Sequence, residues 1–134
     1  MNGKQNIAIG LFTMAFFMAY GFLLIYLRDF APGKEEWINS YIKDAHFESR
    51  LAHVHGNLFA MLNIVIGYLL LQFGNRLNNT KWISITALIG ILMPVGILSE
   101  VYIGFPPVFV LIGAISIVIS VVMLGFSFIK LKTE

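Results

Sequence analysis

Four predominantly apolar stretches, Ile7 to Leu27, Leu51 to Phe73, Trp82 to Ile103 and Val108 to Phe128, alternate with shorter polar connections along the chain. Each has the length of about 20 residues with which an α-helix crosses a hydrocarbon core of roughly 30 Å. A helix satisfies its backbone polar groups internally, which lipid requires. The pattern therefore predicts an all-α integral membrane protein, an antiparallel four-helix bundle, with residues 1–134 forming a single domain. The first stretch is too long for the apolar region of a signal peptide and no small-residue cleavage site follows it, so it is read as a membrane helix.

The connections set an expected orientation. The first, Arg28 to Arg50, is long and mixes four cations with Asp29, Glu35, Glu36, Asp44 and Glu48. The second, Gly74 to Lys81, is a short polar turn, and the third, Gly104-Phe105-Pro106-Pro107, carries no charge. With both termini in the cytoplasm of a bacterial inner membrane, Lys4, Arg76, Lys81, Lys130 and Lys132 lie inside and Arg28, Lys34, Lys43 and Arg50 outside, the side favoured by the cation rule.

Composition narrows the function classes. Only 12% of residues are charged and 58% are hydrophobic, whereas a soluble domain carries roughly a quarter charged residues; a water-soluble enzyme is excluded. Nine basic and seven acidic residues form no basic run, which argues against nucleic-acid binding. The absence of cysteine excludes disulfides, iron–sulfur clusters and thiolate metal sites.

Ionisable residues inside membrane segments are functional candidates. His53 and His55 near the start of the second stretch and Glu100 near the end of the third fall at similar depth, in a layer shared with Tyr26, Arg28 and Tyr102. Residues two apart on a helix point about 200° apart, so His53 and His55 do not grip one ion. His46 lies about 10 Å along the axis from His53, which disfavours a closed zinc site of the three. The His53 face carries Arg50, Gly56, Asn57, Ala60 and Gly67, a shallow groove of small side chains, whereas the His55 face carries Leu58, Phe59, Leu62 and Leu69. His53 is the preferred ligand and His55 the second choice.

Two readings of that groove stay open. Small residues let helices approach closely, with His53 bonded to a neighbour such as Glu100. Alternatively a flat cofactor lies in the groove with His53 as axial ligand, as b-type haem is held without cysteine, and Arg50 suits a propionate. Glu100 is a proton-transfer group, a partner that orients a ligating His, or a side chain reaching to the surface. Pro94, six residues before it, frees a carbonyl and bends the helix. Stripes of Gly113, Ser116, Ser120 and Ser127, and of Ala8, Ala15 and Ala19, are expected to mark helix or oligomer contacts. Asn63, Tyr68 and Tyr20 are expected to bond between helices.

Ser49-Arg50-Leu51-Ala52-His53, continuing through Gly56, Leu58 and Met61 to Gly74, resembles the second membrane helix of styrene oxide isomerases and their small relatives over about 25 residues. Phe59 stands where that family has Asn, and Tyr102 is the counterpart of a family Tyr near the end of the third helix once a gap is allowed. The resemblance implies a homotrimer with haem b near subunit interfaces and His53 as axial ligand to the iron. It further implies redox-neutral epoxide-to-aldehyde isomerisation of a hydrophobic substrate on ferric iron, with Tyr102 as a catalytic candidate; the reading of the polar layer and the groove adds Glu100 as a second candidate and Arg50, Gly56, Asn57 and Ala60 around the cofactor. A haem-based sensor or electron-transfer protein, and a cofactor-free small subunit of a larger membrane complex, are the competing expectations.

Overall fold

The computed structural model describes residues 3–131, so Lys132, expected at the cytoplasmic face, lies outside the described residues. The described chain is helical throughout its regular structure, without strands. Its elements are α1 (Gly3–Asp29), α2 (Lys34–Asn39), α3 (Asp44–Phe73), α4 (Thr80–Gly90), α5 (Leu92–Ile103) and α6 (Val108–Ile129). Four helical segments are long and apolar enough to cross a membrane: α1, Ala45–Phe73 of α3, the pair α4–α5 taken together, and α6.

The helices run past the apolar stretches read from the sequence. Helix α1 begins at Gly3 rather than Ile7, and α3 at Asp44 rather than Leu51, because polar residues continue a helix once it leaves the hydrocarbon. The third segment is interrupted at Ile91. Pro94 has no amide for the Gly90 carbonyl, and the Ile91 amide instead bonds the Leu88 carbonyl at 3.1 Å, one residue short of the helical register. The expected bend is thus a break between α4 and α5. At the far end of α5, Gly104 turns left-handed (φ 65°), and the amides of Gly104 and Phe105 return to the Glu100 and Ser99 carbonyls before two prolines start the turn.

Helices α1 and α3 pack backbone to backbone. A Cβ added at Gly3 would sit 2.2 Å from the Gly67 carbonyl oxygen, one at Gly10 2.8 Å from that of Ala60, and one at Gly56 2.2 Å from the Phe17 ring. The contact stripe of α1 is therefore Gly3, Gly10 and Phe17 at steps of seven. Ala8, Ala15 and Ala19 are exposed, so of the two expected roles for that stripe, contact between helices of one chain is the one it does not have. On α6 the expectation is met: Gly113 packs on Met93, Ser120 Oγ donates to the Ile83 carbonyl at 2.8 Å and Ser127 Oγ to that of Asn78 at 3.0 Å.

Toward the end of the bundle that carries the chain termini, three helices share a polar clamp. Asn6 Nδ2 donates to Asn63 Oδ1 (3.1 Å) and to the Ser84 carbonyl (3.0 Å), and Ser84 Oγ donates back to Asn6 Oδ1. Asn63 Nδ2 donates to the carbonyls of Phe59 (3.0 Å) and Ala87 (2.9 Å). Ala87 is the residue whose carbonyl the displaced Ile91 amide would have bonded in an unbroken helix. Asn6, Asn63 and Ser84 are fully buried, so the clamp is dry. Tyr68, by contrast, is exposed.

Candidate functional site

At the opposite end, where α1 hands over to α3, lies an open-sided groove of about 870 Å³, in the range of pockets that hold cofactors. Met18, Gly21, Phe22, Leu24 and Ile25 of α1 form one wall; Arg50, His53 and Asn57 of α3 form the other; Ile38 of α2, Tyr41 of the turn after it and His46 in the first turn of α3 form a roof. The surface is mainly apolar, with two imidazoles and the guanidinia of Arg28 and Arg50 at its edge.

His53 is held by α1. Its Nδ1 lies 2.8 Å from the Phe17 carbonyl oxygen, an acceptor only, so Nδ1 carries the proton and donates. The remaining lone pair is on Nε2, the arrangement that orients ligating imidazoles in metalloproteins. Gly21 makes this approach possible: a Cβ there would stand 2.8 Å from His53 Cε1. The reading that bonded His53 to Glu100 is corrected by this partner. Gly21→Val is expected to push the ring off the carbonyl. A bond worth about 1 kcal/mol shifts the ratio of Nδ1–H to Nε2–H tautomers about fivefold, which ¹⁵N spectra of labelled histidine measure.

The sequence-predicted residues divide. Arg50, His53 and Asn57 come together on the groove. Asn57 Nδ2 is spent on the His53 carbonyl (2.9 Å), and the Arg50 guanidinium lies 3.7 Å over the Tyr41 ring while bonding the Tyr41 carbonyl at 3.3 Å. Gly56 and Ala60 do not line it. The channel of small residues below His53 is filled by α1, with Phe17 seated on Gly56 and Gly10 against Ala60, so close packing accounts for those two positions and their placement beside a cofactor is corrected. His55 turns away, its Nδ1 2.9 Å from the Leu51 carbonyl and its ring edge-on to Phe59.

Tyr102 and Glu100 also lie outside the groove lining, and Glu100 is exposed. Tyr102 approaches indirectly: its hydroxyl is 2.9 Å from that of Tyr20 and 3.5 Å from Ser49 Oγ, and the Tyr20 ring lies 6.5 Å from the His53 ring. Residues of the site that sequence reasoning missed are Gly21, Tyr41 and His46. A glycine one turn after Phe17 in an apolar helix was the available signal for the first. His46 stacks on Trp37 at 4.3 Å and its Nδ1 donates to the Trp37 carbonyl, a contact that depends on the short α2. Arg28, expected in the same layer, is paired bidentately with Asp29 at 2.7 and 2.9 Å.

Among the described residues no three histidine or carboxylate side chains gather as a metal-holding group. No family model, curated protein or solved structure matches the chain.

Proposed function

We propose that this chain is a multi-pass membrane protein that binds b-type haem through His53. The observation that carries the proposal is the His53 Nδ1–H bond to the Phe17 carbonyl, which leaves Nε2 as the donor atom beside a groove of about 870 Å³. The chain's residues fit the group: an apolar wall from Met18, Phe22 and Ile25, and the cation Arg50 for a propionate at the edge; Arg28 there is already paired with Asp29. As ferric iron, the group supplies a Lewis acid that polarises an epoxide C–O bond, and redox-neutral isomerisation of a hydrophobic epoxide to an aldehyde is the activity we assign.

In that activity Asn57 and Arg50 orient and His53 holds its ring still, while the Tyr20–Tyr102 hydroxyl pair fixes the far side of the His53 helix. Glu100 is left without a part in it. The helices form an antiparallel bundle, consistent with α1 residues meeting α3 residues in reverse order, in a homotrimer whose neighbouring copy closes the open side of the groove. Both termini face the cytoplasm of a bacterial inner membrane.

The test is the visible spectrum of detergent-purified protein after hemin is added. A Soret band that is lost in His53→Ala and kept in His55→Ala supports the proposal. Wild type that stays colourless overturns it and leaves a cofactor-free subunit. A haem-based sensor or electron-transfer protein is the second reading, favoured by His46, a second imidazole on the same groove. Six-coordinate low-spin iron unresponsive to epoxide, changed by His46→Ala, would select it.

A further inference from the structure

The connection from Phe30 to Phe47 has two unlike sides. Its inner side is folded on itself, with Trp37 stacked on His46 at 4.3 Å and Ser40 Oγ donating to the Trp37 carbonyl at 2.9 Å, and it is tied to α3 where Tyr41 lies under the Arg50 guanidinium. Its outer side is apolar and open, with Ile42 80% and Phe30 73% exposed and Ile38 and Phe47 beside them. A loop bathed in water shows polar side chains outward, and an exposed apolar patch marks a contact surface. This patch also continues others. Phe30 prolongs the exposed row Phe22, Ile25 and Tyr26 of α1, and Phe47 leads into the exposed Val54 and Leu58 of α3.

We infer that this strap lies in the interfacial layer of the bilayer, with Phe30, Ile38, Ile42 and Phe47 against lipid. The partner is the lipid itself, because exposed apolar residues at helical spacing on two membrane-length helices, Phe22 and Tyr26 on α1 and Val54 and Leu58 on α3, lead to Phe30 and Phe47 at the two ends of the strap. Aromatic residues and amphipathic segments favour that depth, and the charged residues Lys34, Glu35, Glu36 and Lys43 are interspersed with the apolar ones, as in a segment lying along the interface. Ile38 and Tyr41 belong both to the strap and to the roof of the groove. Apolar ligands consequently reach the groove from lipid through its open side, beneath the strap, and not from water. This inference does not depend on the cofactor.

The chain has no cysteine, so a single probe can be placed cleanly. Ile42→Cys and, as control, Glu35→Cys are labelled with an environment-sensitive fluorophore. The full-length protein is reconstituted in phosphatidylcholine–phosphatidylglycerol vesicles with nitroxide lipids. The expected result is blue-shifted emission at position 42 that is lost to nitroxide near the headgroups and insensitive to aqueous iodide, with the reverse at position 35. Phe30→Cys repeats the test at an independent site. Iodide quenching of position 42 equal to that of position 35 overturns the inference. So does shielding from both quenchers together with crosslinking between copies of the unlabelled Ile42→Cys variant, which identifies a protein contact instead.

Discussion

Gly56→Leu is expected to destabilise the protein by about 3 kcal/mol or more, at the upper end of what overpacking costs, and to abolish hemin binding with it. A Cβ at this position falls 2.2 to 2.4 Å from three atoms of the Phe17 ring. That ring is fully buried and held edge-on by Phe16 and Tyr20, so it has nowhere to turn. Relief requires α1 to move off α3, and the Phe17 carbonyl that orients His53 moves with it. Gly125→Leu is the matched control, because no atom lies within 4 Å of a Cβ there; its effect should stay within about 0.5 kcal/mol. Unfolding in detergent followed by circular dichroism, with a hemin titration alongside, reads both consequences. A neutral Gly56→Leu would show that the α1–α3 contact is looser than described.

Asn63→Ala should act on stability and spare the site. The change leaves the Ala87 carbonyl without the donor that replaces Ile91, and removes one of the two acceptors of Asn6 Nδ2. An orphaned buried group costs roughly 1–3 kcal/mol, while single bonds between membrane helices measure nearer 0.6 kcal/mol; a loss of about 2 kcal/mol is expected from the same unfolding measurement. Asn6→Ala/Asn63→Ala should be less damaging than the sum, with a coupling of about 1 kcal/mol. Asn63 lies ten residues, about 15 Å, along α3 from His53, so affinity for hemin should be unchanged. Tyr68→Phe, at an exposed position of the same helix, should be neutral.

The four membrane segments were legible because hydropathy over about 20 residues is a property of composition, which a single chain displays in full. Their ends were not, since Ala45 to Arg50 continue α3 through residues that no apolar count would include. That His53 and His55 face different surroundings was legible from the residues at steps of three and four. The wall His53 faces was not, because Gly21 sits on another helix and a sequence does not say which helix fills which groove. The same ambiguity let Gly56 and Ala60 be read as cofactor space when Phe17 and Gly10 occupy it. Asn63 was foreseen as an interhelical bond, but Asn6 and Ser84 were not, being ordinary polar residues near the ends of their segments. Helix α2 is too short for periodicity to reveal, and with it went the roof of the groove.

The break at Ile91 divides the third segment between two neighbourhoods. Helix α4 is tied to α1, α3 and α6 by Ser84, Ala87 and Ile83, whereas α5 carries Tyr102 to its bond with Tyr20. Each half-segment thus belongs to one end of the bundle: the end at the chain termini holds the clamp, and the other holds the groove. Substitutions that reshape the groove can accumulate at one end while the other keeps the helices in register, so a chain of 134 residues is able to remodel its groove without renegotiating its fold.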